Sequence, residues 1–271
     1  LIYTGVWNGL AVVACGVIAS LAMVTAARRC FKQDVLHRAH DATGNLLAVV
    51  GTLYAVMLGL VVVDAMVRFE NAVDVVQAES TSLADIYLLA ERFPEPYRSR
   101  IHRGCRDYAV TVVEKEWPLM ARGLVSVDAR KAGLRLLRAI DGFEPKTETE
   151  KAIFPLMIQE MQATWDHRRE RVSTAQFGLP AVEWAALLIG AMVTVLFAGL
   201  FSVESFRLQA LITALASLVI VLNLYLVSLF AYPYAGDLIV SSQPFKIDIG
   251  MLDGMFDETP AHDRELPAAG R

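Results

Sequence analysis

The sequence predicts an all-α integral membrane protein, with four transmembrane helices and a helical bundle inserted between the second and the third. Three observations carry this reading. Residues 1–27, 42–63, 184–203 and 208–236 contain no charged side chain, and each stretch has at least 20 residues, enough for a helix to cross a hydrocarbon core ~30 Å thick. Between the second and third stretches, residues 68–181 hold 17 Lys/Arg and 17 Asp/Glu, too polar a composition for a bilayer. Within that insert, apolar residues recur at spacings of three and four and never alternate in twos over a useful length, the signature of helices rather than strands. The chain divides into spans one and two (1–67), the polar insert (68–181), spans three and four (182–232), and a docked segment with an acidic tail (233–271).

The first span is rich in Ala, Val and Gly, with Tyr3 and Trp7 near its start, where aromatic rings suit the membrane interface. It exceeds a signal-peptide core in length, lacks a basic leader and ends in Arg28-Arg29 rather than in small residues, so it reads as a span. A short basic connector, 28–44, follows. The second span begins near Gly44-Asn45. No proline interrupts the chain from there to Pro94, and beyond the membrane Phe69, Val73, Val76, Ser80, Leu83, Tyr87 and Ala90 continue an apolar stripe. Residues 45–92 are therefore expected to form one helix that leaves the bilayer and opens the insert.

Pro94 and Pro96 end that helix. A second insert helix is expected over 97–117, with Ile101, Cys105, Tyr108 and Val112 on one face and a break at Trp117-Pro118 and Gly123. Ser126 or Asp128 can cap a third, carrying Leu134, Leu137 and Ile140. Thr147 and Glu150 form a capping-box pattern for a fourth, running to about 176 through Ile153, Leu156, Met157, Met161 and Trp165. Gly178 and Pro180 make the elbow into span three, and the link 204–207 makes spans three and four a hairpin. Tyr232 to Gly236 break the last span. Ser241 to Phe245 are expected to dock, and disorder is expected beyond Pro260.

Few residues carry chemistry. Asn45, Thr52, Val56, Gly59 and Val63 lie on one side of the second span, and small or polar residues at this spacing suit either close helix packing or a pore wall. Asp64 and Arg68, four apart at the membrane boundary, are expected to form an interfacial ion pair. Asn223, deep in the fourth span, is expected to bond across helices. His37 and His40 share the basic connector without a completing carboxylate or cysteine, and Asp248, Asp253, Asp257 and Glu258 fit no calcium loop. Cys15, Cys30 and Cys105 are too scattered for a disulfide framework or a zinc site. The chain shows no nucleophile elbow, P-loop or dinucleotide fingerprint, no basic groove for nucleic acid, and no expected metal or cofactor. The reading is not an enzyme.

The run from Leu53 to Val63 resembles the second-span signature of a prokaryotic bestrophin-like membrane protein family of unknown function. The resemblance continues through Glu79, Leu83 to Tyr87, Tyr108, Glu116-Trp117-Pro118, Pro233 to Gly236, Val240 and Pro244-Phe245, and so covers residues from about 45 to 245. It implies a multi-pass protein of the bacterial plasma membrane. Bestrophins are pentameric anion channels whose second span lines the pore and whose insert forms a vestibule, so the shared layout implies by analogy a homo-oligomer conducting small anions, while the stripe named above comes from the spacing of its residues and not from the resemblance. The phenylalanine-rich neck and acidic calcium clasp of bestrophins are not recognisable here. The alternative left open is a non-conducting accessory subunit whose insert docks a membrane-complex partner. Charge leaves the orientation divided: Arg28, Arg29, Lys32, Arg38 and Arg207 flank one side, and Arg68, Arg168, Arg169, Arg171 and Lys246 the other. The density of the 28–44 connector favours placing it in the cytoplasm, whereas the resemblance implies the reverse.

Overall fold

The computed structural model describes residues 6–30, 40–200 and 205–257. The described residues fold into helices α1 (Val6–Cys30), α2 (His40–Ala90), α3 (Tyr97–Thr111), α4 (Trp117–Met120), α5 (Val127–Asp141), α6 (Glu148–Gln176), α7 (Ala181–Leu200), α8 (Phe206–Phe230) and α9 (Gln243–Asp257), with a π-helical turn at Val112–Glu116. No strand occurs among them. Four of the helical stretches are long and apolar enough to cross a membrane. The chain forms two compact units, Leu1–Ala72 with Phe177–Val240, and Val73–Gln176 with Ser241–Arg271.

In the first unit, α1 packs on α7 and α8, and glycines set how closely. A Cβ on Gly9 would lie 2.5 Å from the Tyr225 ring, and one on Gly16 would lie 2.6 Å from Val221. Without these glycines α1 could not approach α8 so closely. The core gathers Tyr54, Leu58, Leu187, Val195, Ile220 and Val227. At the far ends of the helices, Arg28 Nε donates to Gln209 Oε1, and Gln209 Nε2 donates to the Gly199 carbonyl at 2.7 Å. One side chain thus satisfies an orphan carbonyl at the end of α7. Among the described residues Asn223 makes no bond across helices: its Nδ2 donates to the Val219 carbonyl one turn back at 2.9 Å, a local bond in place of the expected interhelical one.

The second unit is a bundle of the outer half of α2 with α3, α5, α6 and α9. Ser126 caps α5 by accepting from Ala129 N at 3.2 Å. Thr147 and Glu150 form a reciprocal capping box, Oγ1 accepting from Glu150 N at 3.2 Å and the carboxylate from Thr147 N at 3.0 Å. The expected break at Trp117-Pro118 is instead a π turn. Pro118 has no N–H to offer a carbonyl one turn back and its ring crowds that carbonyl, and the wider turn just before it accommodates both. Helix α4 ends at Met120, and the turn that follows it closes at Gly123, whose φ of +69° suits glycine. On α5 the buried face is Ala129, Ala132, Gly133, Leu136 and Ile140, not the expected Leu134 and Leu137, because Gly133 admits the Trp165 ring within 2.5 Å of where a Cβ would stand. On α6, Leu156 is exposed while Met157 and Met161 are buried. The acidic tail holds a helix that the sequence reading missed: α9 packs on α3, with Phe245 fully buried against Trp117. Residues beyond Asp257, including Glu258, lie outside the described residues, as do the side chains of Asp253, Asp257, Cys30, His37, His40, Tyr3 and Trp7.

Candidate functional site: the outward stripe of the second helix and its buried anchor

Within the first unit, α2 turns Tyr54, Leu58 and Ala65 inward, where all three are buried. The Tyr54 ring fills the space left by Gly190, whose Cβ would stand 2.5 Å from Tyr54 Cδ2. Counting ~100° per residue from this face, Asn45, Thr52, Val56, Gly59 and Val63 project on the opposite side, and each is exposed. A Cβ on Gly51 or Gly59 would meet nothing within 4 Å. Leu46, Leu53 and Leu60 flank the stripe and are exposed as well. The five candidate positions therefore share one face of one helix, and no other helix covers that face among the described residues.

The chemistry of the stripe is mild. Thr52 Oγ1 donates back to the Ala48 carbonyl at 2.7 Å, which satisfies its hydrogen and leaves lone pairs outward. At the boundary Arg68 Nε donates to Asp64 Oδ2 at 2.6 Å, both side chains half-exposed. One turn further, Glu70 and Asp74 continue the outward face and are exposed. Among the described residues no group of three His, Cys, Asp or Glu could hold a metal ion.

The polar half of α2 is held by a buried ion cluster. Arg171 on α6 reaches Glu79 with two nitrogens, Nε to Oε2 at 2.6 Å and Nη2 to Oε1 at 2.9 Å. Nη2 also donates to Glu116 Oε2 at 2.9 Å, and Arg168 Nη2 donates to Glu116 Oε1 at 2.6 Å. Tyr108 OH donates to Glu79 Oε1 at 2.6 Å. The Trp117 and Phe245 rings lie 5.3 and 5.8 Å from the Arg171 guanidinium, close enough for cation–π attraction. Two carboxylates and two guanidiniums balance, which is the condition for burying charge at tolerable cost. Burial alone would lower the Arg171 pKa, but the Glu79 and Glu116 carboxylates outweigh it and hold it well above its ordinary value. Burial, and then the Glu79 charge, push the Tyr108 phenol well up, so it remains a donor.

The π turn has a structural consequence here, since Glu116 is its last residue and is fully buried. Glu79, Tyr108, Glu116, Trp117 and Phe245, quoted above for the family resemblance, converge on this cluster. The arginines that complete it were not expected here. Arg168 and Arg171, counted above as charges flanking a span, are buried in ion pairs. The signal for them is the spacing of Met157, Met161, Thr164, Arg168 and Arg171: an apolar stripe that runs directly into two arginines.

Comparison with known proteins agrees with this layout. A family model described as the Bestrophin-like domain matches residues 14–245. Among solved structures, a variant of a bacterial bestrophin homolog from Klebsiella pneumoniae matches at 12% identity and TM-score 0.67, covering 90% of this chain and 98% of that one. The structure of the same homolog solved by Zn-SAD phasing matches at 12% identity and TM-score 0.66, covering 91% and 99%. A structure described as a membrane protein variant matches at 11% identity and TM-score 0.67, covering 92% and 100%. At such identities the likeness concerns the fold. A search of curated proteins gave no match.

Proposed function

The chain belongs to the bestrophin-like family, and from that premise we propose that it is the repeating subunit of an ion channel, with the outward stripe of α2 facing a shared axis. The carrying observation is the stripe itself. Asn45, Thr52 and Gly59 are small or polar, lie opposite the buried side of the helix and are exposed, with no other helix packed over them among the described residues. A helix meant only for lipid gains nothing from such residues on its most outward line, whereas a narrow aqueous path needs them. Val56 and Val63 on the same line would serve as apolar constrictions, and the bulkier Leu46, Leu53 and Leu60 would pack between neighbouring copies or against lipid.

The permeant species on this reading is a small anion, and the site of action is the bacterial plasma membrane. The Glu79–Arg171 pair holds the outer half of α2 within the helical insert. The test is reconstitution of the full chain in vesicles, with oligomer mass and chloride flux measured on the same preparation. A ring-sized oligomer with flux above empty vesicles supports the proposal. A monomer or dimer without flux favours the accessory-subunit alternative.

A further inference from the structure

The loop joining α4 to α5 carries an apolar tip that the bundle does not use. Leu124 and Val125 are 53% and 38% exposed, and Val127, the first residue of α5, is 64% exposed. Three such side chains within four residues make a patch that favours a covering surface. The loop's course follows from three close approaches to α6. Met120 Sδ lies 2.8 Å from Arg171 Nη1. A Cβ on Gly123 would stand 3.9 Å from the Ala175 carbonyl oxygen, and the Ser126 carbonyl accepts from Arg168 Nη2 at 3.4 Å. The loop therefore runs one turn along α6 toward its C-terminal end, reverses at Gly123 and returns. Ala175, beside that reversal, is six residues before Ala181, where the apolar helix α7 starts. The reversal thus lies beside the C-terminal end of α6, the end that in sequence leads into the apolar helix α7.

Charge around the tip is basic. Between 114 and 131 the exposed charged residues are Lys115, Arg122, Arg130 and Lys131 against Glu114 and Asp128, and Lys115 already pairs with Asp128 at 2.8 Å. Arg122 and Arg130 form no ion pair among the described residues. We propose that this loop is a membrane-surface contact. In it Leu124, Val125 and Val127 enter the boundary between headgroups and acyl chains, and Arg122 and Arg130 bind the phosphates of anionic phospholipids. The inference concerns a surface remote from the α2 stripe and does not depend on conduction.

The test uses the full chain with Cys15→Ser and Cys30→Ser, the buried Cys105 being retained, and an environment-sensitive fluorophore on Val125→Cys. It is reconstituted in phosphatidylcholine vesicles with or without phosphatidylglycerol, and quenched by lipids carrying a nitroxide at headgroup depth. The same label on Glu144→Cys, an exposed position at another loop, is the reference. The contact requires several-fold stronger lipid quenching at 125 than at 144, strengthened by phosphatidylglycerol, with that strengthening lost in Arg122→Glu/Arg130→Glu. Equal quenching at the two sites overturns it. So does protection of the 125 label from both lipid-borne and aqueous quenchers, which would assign the loop to a subunit interface.

Discussion

Arg171 and Glu79, 92 residues apart in sequence, meet through two parallel hydrogen bonds of 2.6 and 2.9 Å with neither side chain exposed. Arg171→Met removes one guanidinium and leaves Glu79 and Glu116 facing each other, a change expected to cost ~3–5 kcal/mol. Glu79→Gln with Arg171→Met removes the orphaned charge as well and should recover part of the loss. Tyr108→Phe deletes a donor to the same carboxylate and should cost ~1.5–3 kcal/mol, the range for hydrogen bonds to charged groups. Thermal unfolding in detergent, followed by helical circular dichroism, measures all three. An Arg171→Met protein as stable as the parent would contradict the anchor.

Docking of α9 should depend on pH through Asp248. Its carboxylate accepts a hydrogen bond from Ser80, yet burial outweighs that bond and holds its pKa above the ordinary carboxylate value. The folded state therefore keeps this proton over a window where the unfolded chain has released it, so stability falls as pH rises through that window. Asp248→Asn should match the parent at the acid end, near pH ~4, and become the more stable of the two toward neutrality. Comparing the two melting temperatures across pH cancels the other titrating groups. A difference that does not vary with pH would contradict the assignment.

Glu70 and Asp74 should restrain anions at the water-facing end of the stripe. A unit charge ~10 Å from an ion in water acts with ~0.4 kcal/mol, and charges repeated around an axis add. Glu70→Gln with Asp74→Asn is expected to raise chloride flux several-fold at low salt and less at high salt, where screening removes the effect. Lower chloride flux in this variant, with cation flux lost as well, would show that the carboxylates serve a cation path and that the permeant ion has the opposite sign.

The membrane helices and the long α2 were legible because both follow from local rules: charge-free length, and the absence of proline before Pro94 and of glycine between Gly59 and that proline. The capping box at Thr147 and Glu150 is equally local. The inward face of α5 was not, because a choice between Leu134 or Leu137 and Leu136 depends on Gly133 accepting the Trp165 ring. The ion cluster was half legible. Glu79 and Glu116 stood out as family positions, but their partners sit on α6, and no spacing rule links residues 92 apart. The α9 helix was obscured by its acidic composition, although Pro244 in its first turn and Ser241 accepting from Gln243 N at 3.1 Å are ordinary helix-start features. The outward stripe was legible as a face, since periodicity alone places it.

Water access along that stripe tests the central claim most directly. In a background with Cys15→Ser and Cys30→Ser, single cysteines at Asn45, Thr52, Gly59, Leu46, Leu53 and Leu60 are exposed to a membrane-impermeant charged thiol reagent in flux-competent vesicles. All six positions are uncovered in the protomer, so only the assembly can distinguish them. If α2 lines an aqueous path, the cysteines at 45, 52 and 59 react and the adduct at 52 blocks flux, while those at 46, 53 and 60 stay protected by neighbouring helices or lipid. Equal protection of all six, with flux unchanged by the reagent, would contradict a pore along α2.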